Sequence, residues 1–343
     1  MASEAKPSRV PCPSLDRFVA VLLAMTAAFT GFSAHAFDLE GHRGARGHRP
    51  ENTLPAFAWA LSAGVDTLEL DTGITKDGAV VISHNRRLEP AITKDPDGQY
   101  LAGPGPAIHD LTLAELRRYD VGAIRPGSDY ARQFPDQQAV PGTGLPLLAE
   151  LARLVEKSGN TRVRFNIETK LSPLAPEETV DPETFATMLV EVVLTSGIAG
   201  RTMIQSFDWR TLKVVQRIAP QIPTVCLTFE RGADDTVQRG KPGPSPWTAG
   251  LDIDDFGGST PRLVKAAGCA VWSPFFRDVS DAALAEAKSL GLETVVWTVD
   301  APADMDALLA RGVDGIITDY PDRLREAMAR RGMKLPTPTP VTP

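Results

Sequence analysis

The sequence predicts a closed (β/α)8 barrel on three grounds: chain length, composition and the alternation of strand and helix patterns. The chain has 343 residues, of which 43% are hydrophobic and 23% charged, as is ordinary for a protein with a substantial core. Short apolar runs alternate with helical patterns, which indicates βαβ units and a parallel sheet. Eight such units over about 290 residues fit an eight-stranded barrel of about 250 residues enlarged by insertions.

The strand-like runs are short and either apolar or alternating between apolar and polar residues. They cover residues 39–43, 67–74, 163–170, 202–207, 224–229, 270–275, 294–299 and 315–319. Helical patterns fill the intervals between these runs. They cover residues 54–62, 147–157, 182–195, 209–218, 260–267, 281–290 and 303–310.

Two segments interrupt this alternation. Residues 85–146 contain several prolines and glycines around a short helical stretch at 111–118, and we interpret them as an insertion between the second strand and its helix. Residues 230–259 follow the fifth strand. Loops that follow strands lie on the functional face of a barrel, so both segments are candidates for walls over a site, with surface decoration as the alternative.

Residues 1–36 are predicted to be a secretory signal peptide. Lys6, Arg9 and Arg17 give a basic start, an apolar run of about 15 residues follows, and Ala34-His35-Ala36 matches an A-x-A cleavage signature. A membrane-spanning helix needs about 20 residues, and an uncleaved anchor is the alternative. Cleavage would leave a secreted or periplasmic protein without stable membrane insertion. We expect a single barrel over 37–334 and a disordered tail at 335–343, LPTPTPVTP.

Charge and cysteine content restrict the partners and the compartment. Lys and Arg number 36 against 43 Asp and Glu, a formal net charge of −7, so phosphate-driven binding of nucleic acid is not expected. An anionic substrate would need local cations or a metal.

Cys226 and Cys269 lie in or beside apolar strand-like runs, and an oxidising compartment would permit a disulfide between them. Two buried free thiols are the alternative.

Three carboxylates are predicted to face the barrel interior. Glu69 and Asp71 are two apart on the second strand and therefore share a face. On the third strand Glu168 and Lys170 belong to the polar set that alternates with apolar residues, close to the strand's end. Buried carboxylates are costly unless they are paired or hold a cation. Three of them form an oxygen-only site suited to Ca²⁺ or Mg²⁺.

A hairpin is predicted to bring a histidine to these carboxylates. Asp77-Gly78 between apolar runs is typical of a two-residue hairpin turn. With that turn Asp71 lies opposite His84, although a bulge would shift the register.

A second histidine is predicted on the first strand, where His42 and Glu40 share a face. Alternation cannot direct both His42 and Arg43 inward, so we assume that the turn at Gly44 re-aims Arg43. Two histidines at such a site suit an acid–base pair. A metal together with Arg43 and Lys170 would stabilise the charge that develops when a phosphodiester is cleaved.

The residues above belong to short motifs that follow one another in a fixed order. The motifs are Gly41-His42-Arg43-Gly44, Pro50-Glu51-Asn52-Thr53, Glu69-Leu70-Asp71, His84, Asn166-Ile167-Glu168-Thr169-Lys170, Gln205-Ser206-Phe207, Trp297-Thr298-Val299 and Gly315-Ile316-Ile317-Thr318-Asp319-Tyr320-Pro321. Each is weak alone, but the ordered set resembles the glycerophosphodiester phosphodiesterase family along essentially the whole chain after residue 36.

The resemblance implies a fold and a reaction. The fold is the phospholipase-C-like (β/α)8 barrel. The reaction hydrolyses deacylated phospholipids to an alcohol and glycerol 3-phosphate with a divalent cation, and the long insertion resembles periplasmic bacterial members. The resemblance assigns His42 and His84 to catalysis, Glu69, Asp71 and Glu168 to the metal, and Arg43 and Lys170 to the phosphate.

Two departures and two alternatives accompany this interpretation. Asn85 follows the second histidine where the family usually has Asp, and Pro90-Ala91-Ile92-Thr93 replaces an Arg-Thr-Thr-like stretch. One alternative is a lysophospholipase D or phospholipase-type phosphodiesterase of the same fold acting on membrane lipids. The other is a binding protein without activity. Trp297 is expected either to stack on substrate or to fill the barrel.

Overall fold

Eight parallel strands close into a barrel in the computed structural model, which describes residues 37–343. The closure is made by β1, which pairs with both β2 and β9, while β3 adds an antiparallel strand outside the barrel. The strands are β1 Asp38–Gly41, β2 Thr67–Ile74, β3 Val80–Ile82, β4 Arg164–Thr169, β5 Thr202–Ser206, β6 Thr224–Thr228, β7 Val271–Pro274, β8 Glu293–Val296 and β9 Gly315–Thr318.

Helices occupy the intervals between barrel strands, so the predicted fold class is confirmed. A terminal helix, α10, was not predicted from the sequence. The helices are α1 Leu54–Ala63, α2 Leu113–Leu116, α3 Asp129–Gln133, α4 Leu148–Lys157, α5 Pro182–Thr195, α6 Trp209–Ile218, α7 Thr260–Ala266, α8 Asp281–Ser289, α9 Pro302–Arg311 and α10 Pro321–Arg330.

The first helix illustrates why these segments are helical. Thr53 precedes α1 in an extended conformation, and its hydroxyl accepts a hydrogen bond from the amide of Ala56, which satisfies one of the free amides of the first turn. Phe57 and Leu61, four residues apart on one face, are fully buried in the main core. The helix ends at Gly64, whose φ is +88°, a conformation that favours glycine.

The barrel interior is divided into a polar half and an apolar half. Inward residues of β1, β2 and β4 are polar and buried, among them Glu40, Glu69 and Asn166. One inward apolar residue from each of the strands β5 to β9 contributes to a separate apolar cluster, against which Trp297 packs. Its buried members are Met203, Val225, Val271, Val295 and Ile317.

The hairpin of β2 and β3 differs from the prediction by one residue. Thr72 pairs with Ile82, and the amide of Ser83 donates to the carbonyl oxygen of Asp71 at 3.0 Å. The prediction that Asp71 lies opposite His84 is therefore wrong. The cause is a three-residue loop rather than a two-residue turn, in which Gly78 takes the left-handed conformation with φ +84°.

The segment 85–146 builds a small core of its own on the outer face of the hairpin. Val81 from β3 packs there, and α2 lies within the helical stretch expected at 111–118. The other buried members of this core are Leu88, Ile108, Leu116, Val121 and Leu145.

The tail 335–343 is ordered against the barrel, so the expectation of disorder is wrong. The amide of Thr339 donates to the carbonyl oxygen of Leu61 at 2.8 Å, and the Arg325 guanidinium donates to the carbonyl oxygen of Pro336. Leu335 and Val341 pack on the main core. These apolar side chains and backbone hydrogen bonds offset the ordering cost that the proline-rich composition suggests.

Cys226 and Cys269 form a disulfide, with their Cα atoms 5.9 Å apart. Of the two alternatives left open by the sequence, the structure therefore contains the bonded pair.

Between residues 37 and 343 no helix is long and apolar enough to cross a membrane. The predicted signal peptide, 1–36, lies outside the described residues.

Candidate active site

The loop that follows β1 directs two neighbouring residues into the barrel mouth. His42 continues the inward alternation of β1. Arg43 has a φ of +49° and Gly44 a φ of +84°, so the chain reverses at this point and re-aims Arg43, as assumed from the sequence. A Cβ atom on Gly41 would lie 2.2 Å from the carbonyl oxygen of Gly44. The reversal therefore requires glycine at 41 and favours it at 44.

Glu69, Asp71 and Glu168 meet at the carboxyl ends of β2 and β4. All three are buried, and one carboxylate oxygen from each lies within 4.8 Å of the others. Burial raises the pKa of Glu69 well above its ordinary value, with the charge of Asp71 adding to the effect. Burial likewise raises the pKa of Glu168 to about 7 despite the opposing charge of Lys170. The cationic side chains of the protein therefore balance only part of the negative charge that these three carboxylates would carry when ionised.

Asp71 is the ionised member of the set. Burial would raise its pKa, but the charges of Lys170, His84 and Arg43 together hold the pKa well below its ordinary value. The Lys170 Nζ lies 3.4 Å from Asp71 Oδ1 and 2.8 Å from Glu168 Oε1.

Arg43 completes the charge balance of the site. Its Nε lies 3.4 Å from Asp71 Oδ2, and one terminal nitrogen donates to Glu51 Oε1 at 2.8 Å. Arg46 lies 3.8 Å from the other Glu51 oxygen and pairs with Asp319 at 2.8 Å. Five carboxylates (Glu51, Glu69, Asp71, Glu168 and Asp319) thus face three cations, Arg43, Arg46 and Lys170. With every carboxylate ionised, the group would carry an excess of two negative charges. A divalent cation held by carboxylate oxygens fits both that excess and the donor chemistry.

His42 is held by a partner that the sequence interpretation missed. Its Nδ1 lies 2.7 Å from Asp319 Oδ1, and its Nε2 lies 3.9 Å from Glu69 Oε2. Burial lowers the pKa of His42 to about 4; Asp319 opposes this shift, whereas Arg46 and Arg43 reinforce it. Asp319 follows the last strand, and in a closed barrel the last strand pairs with the first. This pairing could have been used to predict from the sequence that Asp319 lies near His42.

His84 lies two residues after β3, the second strand of the hairpin. Its Nδ1 is 2.5 Å from Asn85 Oδ1, and the amide nitrogen of Asn85 donates to Glu89 Oε2 at 2.8 Å. Burial and then the charges of Arg43 and Lys170 lower the pKa of His84 well below its ordinary value, with Asp71 opposing.

Two amide side chains that the sequence interpretation did not single out orient the carboxylates. The Gln205 Nε2 donates to Glu69 Oε1 at 2.8 Å, while the Arg43 amide donates to Glu69 Oε2. Asn52 Nδ2 donates to Asp71 Oδ2 at 2.8 Å. Gln205 belongs to the motif Gln205-Ser206-Phe207 and Asn52 to the motif Pro50-Glu51-Asn52-Thr53. The sequence feature that could have identified them is a polar residue in a motif close to an inward carboxylate.

Aromatic rings line the other half of the mouth, above the apolar cluster of the interior. Phe229 lies 5.2 Å from Phe275 and 6.1 Å from Trp297, measured between ring centroids, and Phe207 meets Trp297 edge-on at 5.4 Å. Trp297 Nε1 donates to the carbonyl oxygen of Ser273. Phe207, Phe229, Phe275 and Trp297 are all half-buried and form what we call the aromatic wall.

The structure brings all seven predicted site residues into one cluster at the carboxyl ends of the strands, where barrels carry their active sites. Histidines able to exchange protons beside fixed cations suit the cleavage of phosphate esters. Fold and site together therefore define a hydrolase that acts on phosphodiesters.

Comparison with known families specifies this class further. The model of the glycerophosphoryl diester phosphodiesterase family matches residues 42–323, and the chain belongs to this family. It is an enzyme of the phosphoric diester hydrolase class, like the relatives described next.

Two curated relatives match over most of their length. A glycerophosphodiester phosphodiesterase of Caldanaerobacter subterraneus subsp. tengcongensis is 27% identical over 295 residues, which cover 85% of this chain and 97% of the relative. Another, from Bacillus subtilis strain 168, is 28% identical over 284 residues, covering 82% and 83%.

Solved structures share the fold. A protein from Silicibacter pomeroyi DSS-3 that carries the family's name is 36% identical with a TM-score of 0.76, covering 87% of this chain and 95% of its own. An Oleispira antarctica phosphodiesterase in complex with the product sn-glycerol-3-phosphate is 20% identical with a TM-score of 0.61, covering 86% and 97%. At this identity the second likeness shows that the two proteins share a fold.

Proposed function

We propose that the protein hydrolyses glycerophosphodiesters to an alcohol and sn-glycerol 3-phosphate, with a divalent cation and with His42 and His84 as its acid–base pair. The observation that carries this proposal is the excess of carboxylates over cations in the cluster to which both histidines belong. The product found in the Oleispira antarctica phosphodiesterase, which has the same fold, supports the choice of substrate.

Glu69, Asp71 and Glu168 would hold the cation, since their oxygens converge and the pKa values of two of them are raised. When bound, a hard cation such as Ca²⁺ or Mg²⁺ supplies positive charge next to the phosphate. Both ions accept carboxylate oxygens, and the donor set suits either.

The two cationic residues and the two histidines have different roles in the reaction. Arg43 and Lys170, which flank the carboxylates, stabilise negative charge on the phosphoryl oxygens as the transition state forms. One histidine removes the proton of the nucleophile, which is either water or the neighbouring hydroxyl group of the glycerol, and the other protonates the departing alkoxide as its bond to phosphorus breaks. Attack by the hydroxyl group gives a cyclic phosphate first, which water then opens to glycerol 3-phosphate. His42 is buried and His84 half-buried, and desolvation lowers the pKa of each.

A secreted, periplasmic location is the second part of the proposal. The basic start, apolar run and cleavage signature of residues 1–36 support export. The Cys226–Cys269 disulfide supports an oxidising compartment.

A lysophospholipase D type of activity is the second candidate, and the aromatic wall favours it. The rings lie 5.2–6.1 Å apart and contact one another, so they form a continuous apolar surface rather than an open cage. Leu174, four residues after Lys170, is 70% exposed. An apolar substrate arm would bury surface against these groups.

Release of glycerol 3-phosphate from glycerophosphocholine by the purified protein tests the main proposal. We expect turnover to be lost in EDTA, restored by Ca²⁺ or Mg²⁺, and abolished by His42→Ala and Glu69→Ala. His109→Ala and Glu156→Ala are matched controls outside the cluster and should keep activity. Metal-independent turnover would contradict the assigned cation. Turnover of lysophosphatidylcholine without turnover of glycerophosphocholine would select the second candidate.

A further inference from the structure

Phe134 is a buried phenylalanine that lies outside the apolar cores. It is 7% exposed, yet it belongs to none of the three apolar clusters formed by residues 37–343. Its ring faces the guanidinium of Arg46 instead, whose Cζ lies 4.5 Å from the ring centroid. Tyr130 packs on the same ring with 5.1 Å between centroids, and its hydroxyl accepts from Arg46 at 3.4 Å. Two aromatic side chains of the insertion are therefore directed at one cation of the barrel.

The segment that carries these two rings is fastened to the loop after β1. Gln137 Nε2 donates to the carbonyl oxygen of Arg46 at 2.7 Å, and the Gln138 amide donates to the carbonyl oxygen of His48 at 3.0 Å. We call residues 128–138, which include α3, the clasp. The insertion, which begins directly after His84, thus also contacts the loop that carries His42.

Arg46 links the clasp to the active site. Its Nε and one terminal nitrogen donate to the two oxygens of Asp319, each at 2.8 Å, and Asp319 Oδ1 lies 2.7 Å from His42 Nδ1. Hydrogen bonds between charged groups are stronger where water is excluded. A cation over an aromatic face is also attracted by the ring. The rings that cover Arg46 therefore hold its guanidinium against Asp319 and exclude water that would compete for its donors.

We propose that Phe134 and Tyr130 are positioning residues, which shield the Arg46–Asp319 pair from water and thereby fix the ring of His42 for the reaction. The clasp is then a working part of the active site as well as a wall beside it. The effect on the reaction rests on the proposed phosphodiesterase function, whereas the shielding of Arg46 does not.

Hydrogen exchange at Arg46 measures the shielding without any activity. In the metal-free protein the Nε proton of Arg46 should exchange with water roughly tenfold or more slowly than that of the exposed Arg277. The two ¹⁵N NMR signals are assigned by their loss in Arg46→Lys and in Arg277→Lys. Phe134→Leu keeps apolar bulk but removes the ring, and it should accelerate the exchange at Arg46. Phe134→Tyr keeps the ring and should preserve the protection.

Kinetics of the metal-supplied enzyme on glycerophosphocholine provide the second readout. We expect Phe134→Leu to lower kcat roughly threefold to tenfold, the range expected for loss of one cation–π contact. KM should change little, because the proposal places Phe134 against Arg46 and not against the substrate. Tyr130→Phe, which removes only the hydroxyl group, should have a smaller effect in the same direction. Phe134→Tyr should keep the wild-type kcat.

Tyr119→Leu is the matched control, since Tyr119 packs on the small core of the insertion. It should loosen the insertion and lower the melting temperature while leaving both the exchange at Arg46 and kcat unchanged. Equal effects of Tyr119→Leu and Phe134→Leu on these two readouts would indicate general loosening and overturn the proposal.

The proposal would also be wrong if the Nε proton of Arg46 exchanged as fast as that of Arg277 in the wild-type protein, or if a folded Phe134→Leu kept the wild-type kcat. If Phe134→Leu does not fold, the exchange in the wild type and the kinetics of Tyr130→Phe still decide. A protected Arg46 in a protein without phosphodiesterase activity would contradict the proposed function and leave the shielding by the clasp intact.

Discussion

His42 Nδ1 lies 2.7 Å from Oδ1 of Asp319, the residue that follows the last barrel strand. Arg46 donates to both oxygens of the same carboxylate, each at 2.8 Å. Burial would raise the pKa of Asp319, but the charges of Arg46 and His42 hold it well below its ordinary value. Asp319 therefore stays ionised and fixes the ring of His42 with its Nδ1 protonated.

Replacing Asp319 by Asn should remove this orientation. We expect Asp319→Asn to lower kcat by about 10²- to 10⁴-fold, because the amide can face the imidazole with either its donor or its acceptor. KM should change little, since Asp319 is not placed to touch the substrate. Steady-state kinetics on glycerophosphocholine measures both parameters.

The matched control for this variant is Asp322→Asn. Asp322 pairs with His48 at 2.8 Å in the same segment of the chain but outside the cluster. It should keep kcat within about twofold, as expected for a change away from the reacting groups. Thermal unfolding of both variants excludes misfolding, and wild-type kcat in a folded Asp319→Asn would contradict the role assigned to the pair.

Cation binding should release protons near neutral pH. Burial raises the pKa of Glu168 to about 7 and that of Glu69 well above its ordinary value, so both bind protons that a metal must displace. Affinity for Ca²⁺ or Mg²⁺ should then rise between pH 6 and pH 8, by up to about tenfold per pH unit for each proton displaced. Calorimetry in two buffers of different ionisation enthalpy counts these protons.

The Glu69→Gln variant provides the control for that titration, since it removes one titrating ligand. It should bind the cation more weakly and release fewer protons. An affinity independent of pH in the wild-type protein, without proton release, would show that the carboxylates are already ionised.

Local periodicity was sufficient to predict most of the site. Glu69 and Asp71 share a face because side chains alternate along a strand, and the same rule placed Glu168 on the inner face of β4. The barrel followed from eight repeats of one unit. Each of these features depends on residues close together in the sequence.

The features that were missed depend on closure or on exact loop geometry. Asp319 and His42 are 277 positions apart and meet only because the last strand pairs with the first. The hairpin register depended on whether the loop had two or three residues, which Asp-Gly alone does not decide. The tail was predicted from its prolines, whereas Leu335 and Val341 determine its packing.

Loss of the disulfide should destabilise the fold without removing the site. Cys226 and Cys269 are separated by 43 residues, and a bridge across such a loop contributes about 2–4 kcal/mol. We expect Cys226→Ala with Cys269→Ala to lower the free energy of unfolding by roughly that amount. Urea unfolding with and without reductant measures it; the wild type should lose stability on reduction, and the double variant should not respond.

Glu40 should make the stability of the fold depend on pH. It is fully buried, with one oxygen accepting from Asn166 and the other without a partner among residues 37–343. Burial, and then the charge of Asp38, raises its pKa well above the ordinary value. The folded state therefore holds a proton that the unfolded chain releases, and the stability contributed by this group falls as pH rises above the ordinary pKa of glutamate.

Glu40→Gln removes this titration while its carbonyl can still accept from Asn166. Relative to wild type, the variant should gain stability between pH 5 and pH 8, by about 1.4 kcal/mol per pH unit until Glu40 ionises in the folded state. Urea unfolding at several pH values in EDTA measures the difference, with Glu191→Gln as the surface control. A difference that does not change with pH would mean that Glu40 is ionised in the folded barrel despite its burial.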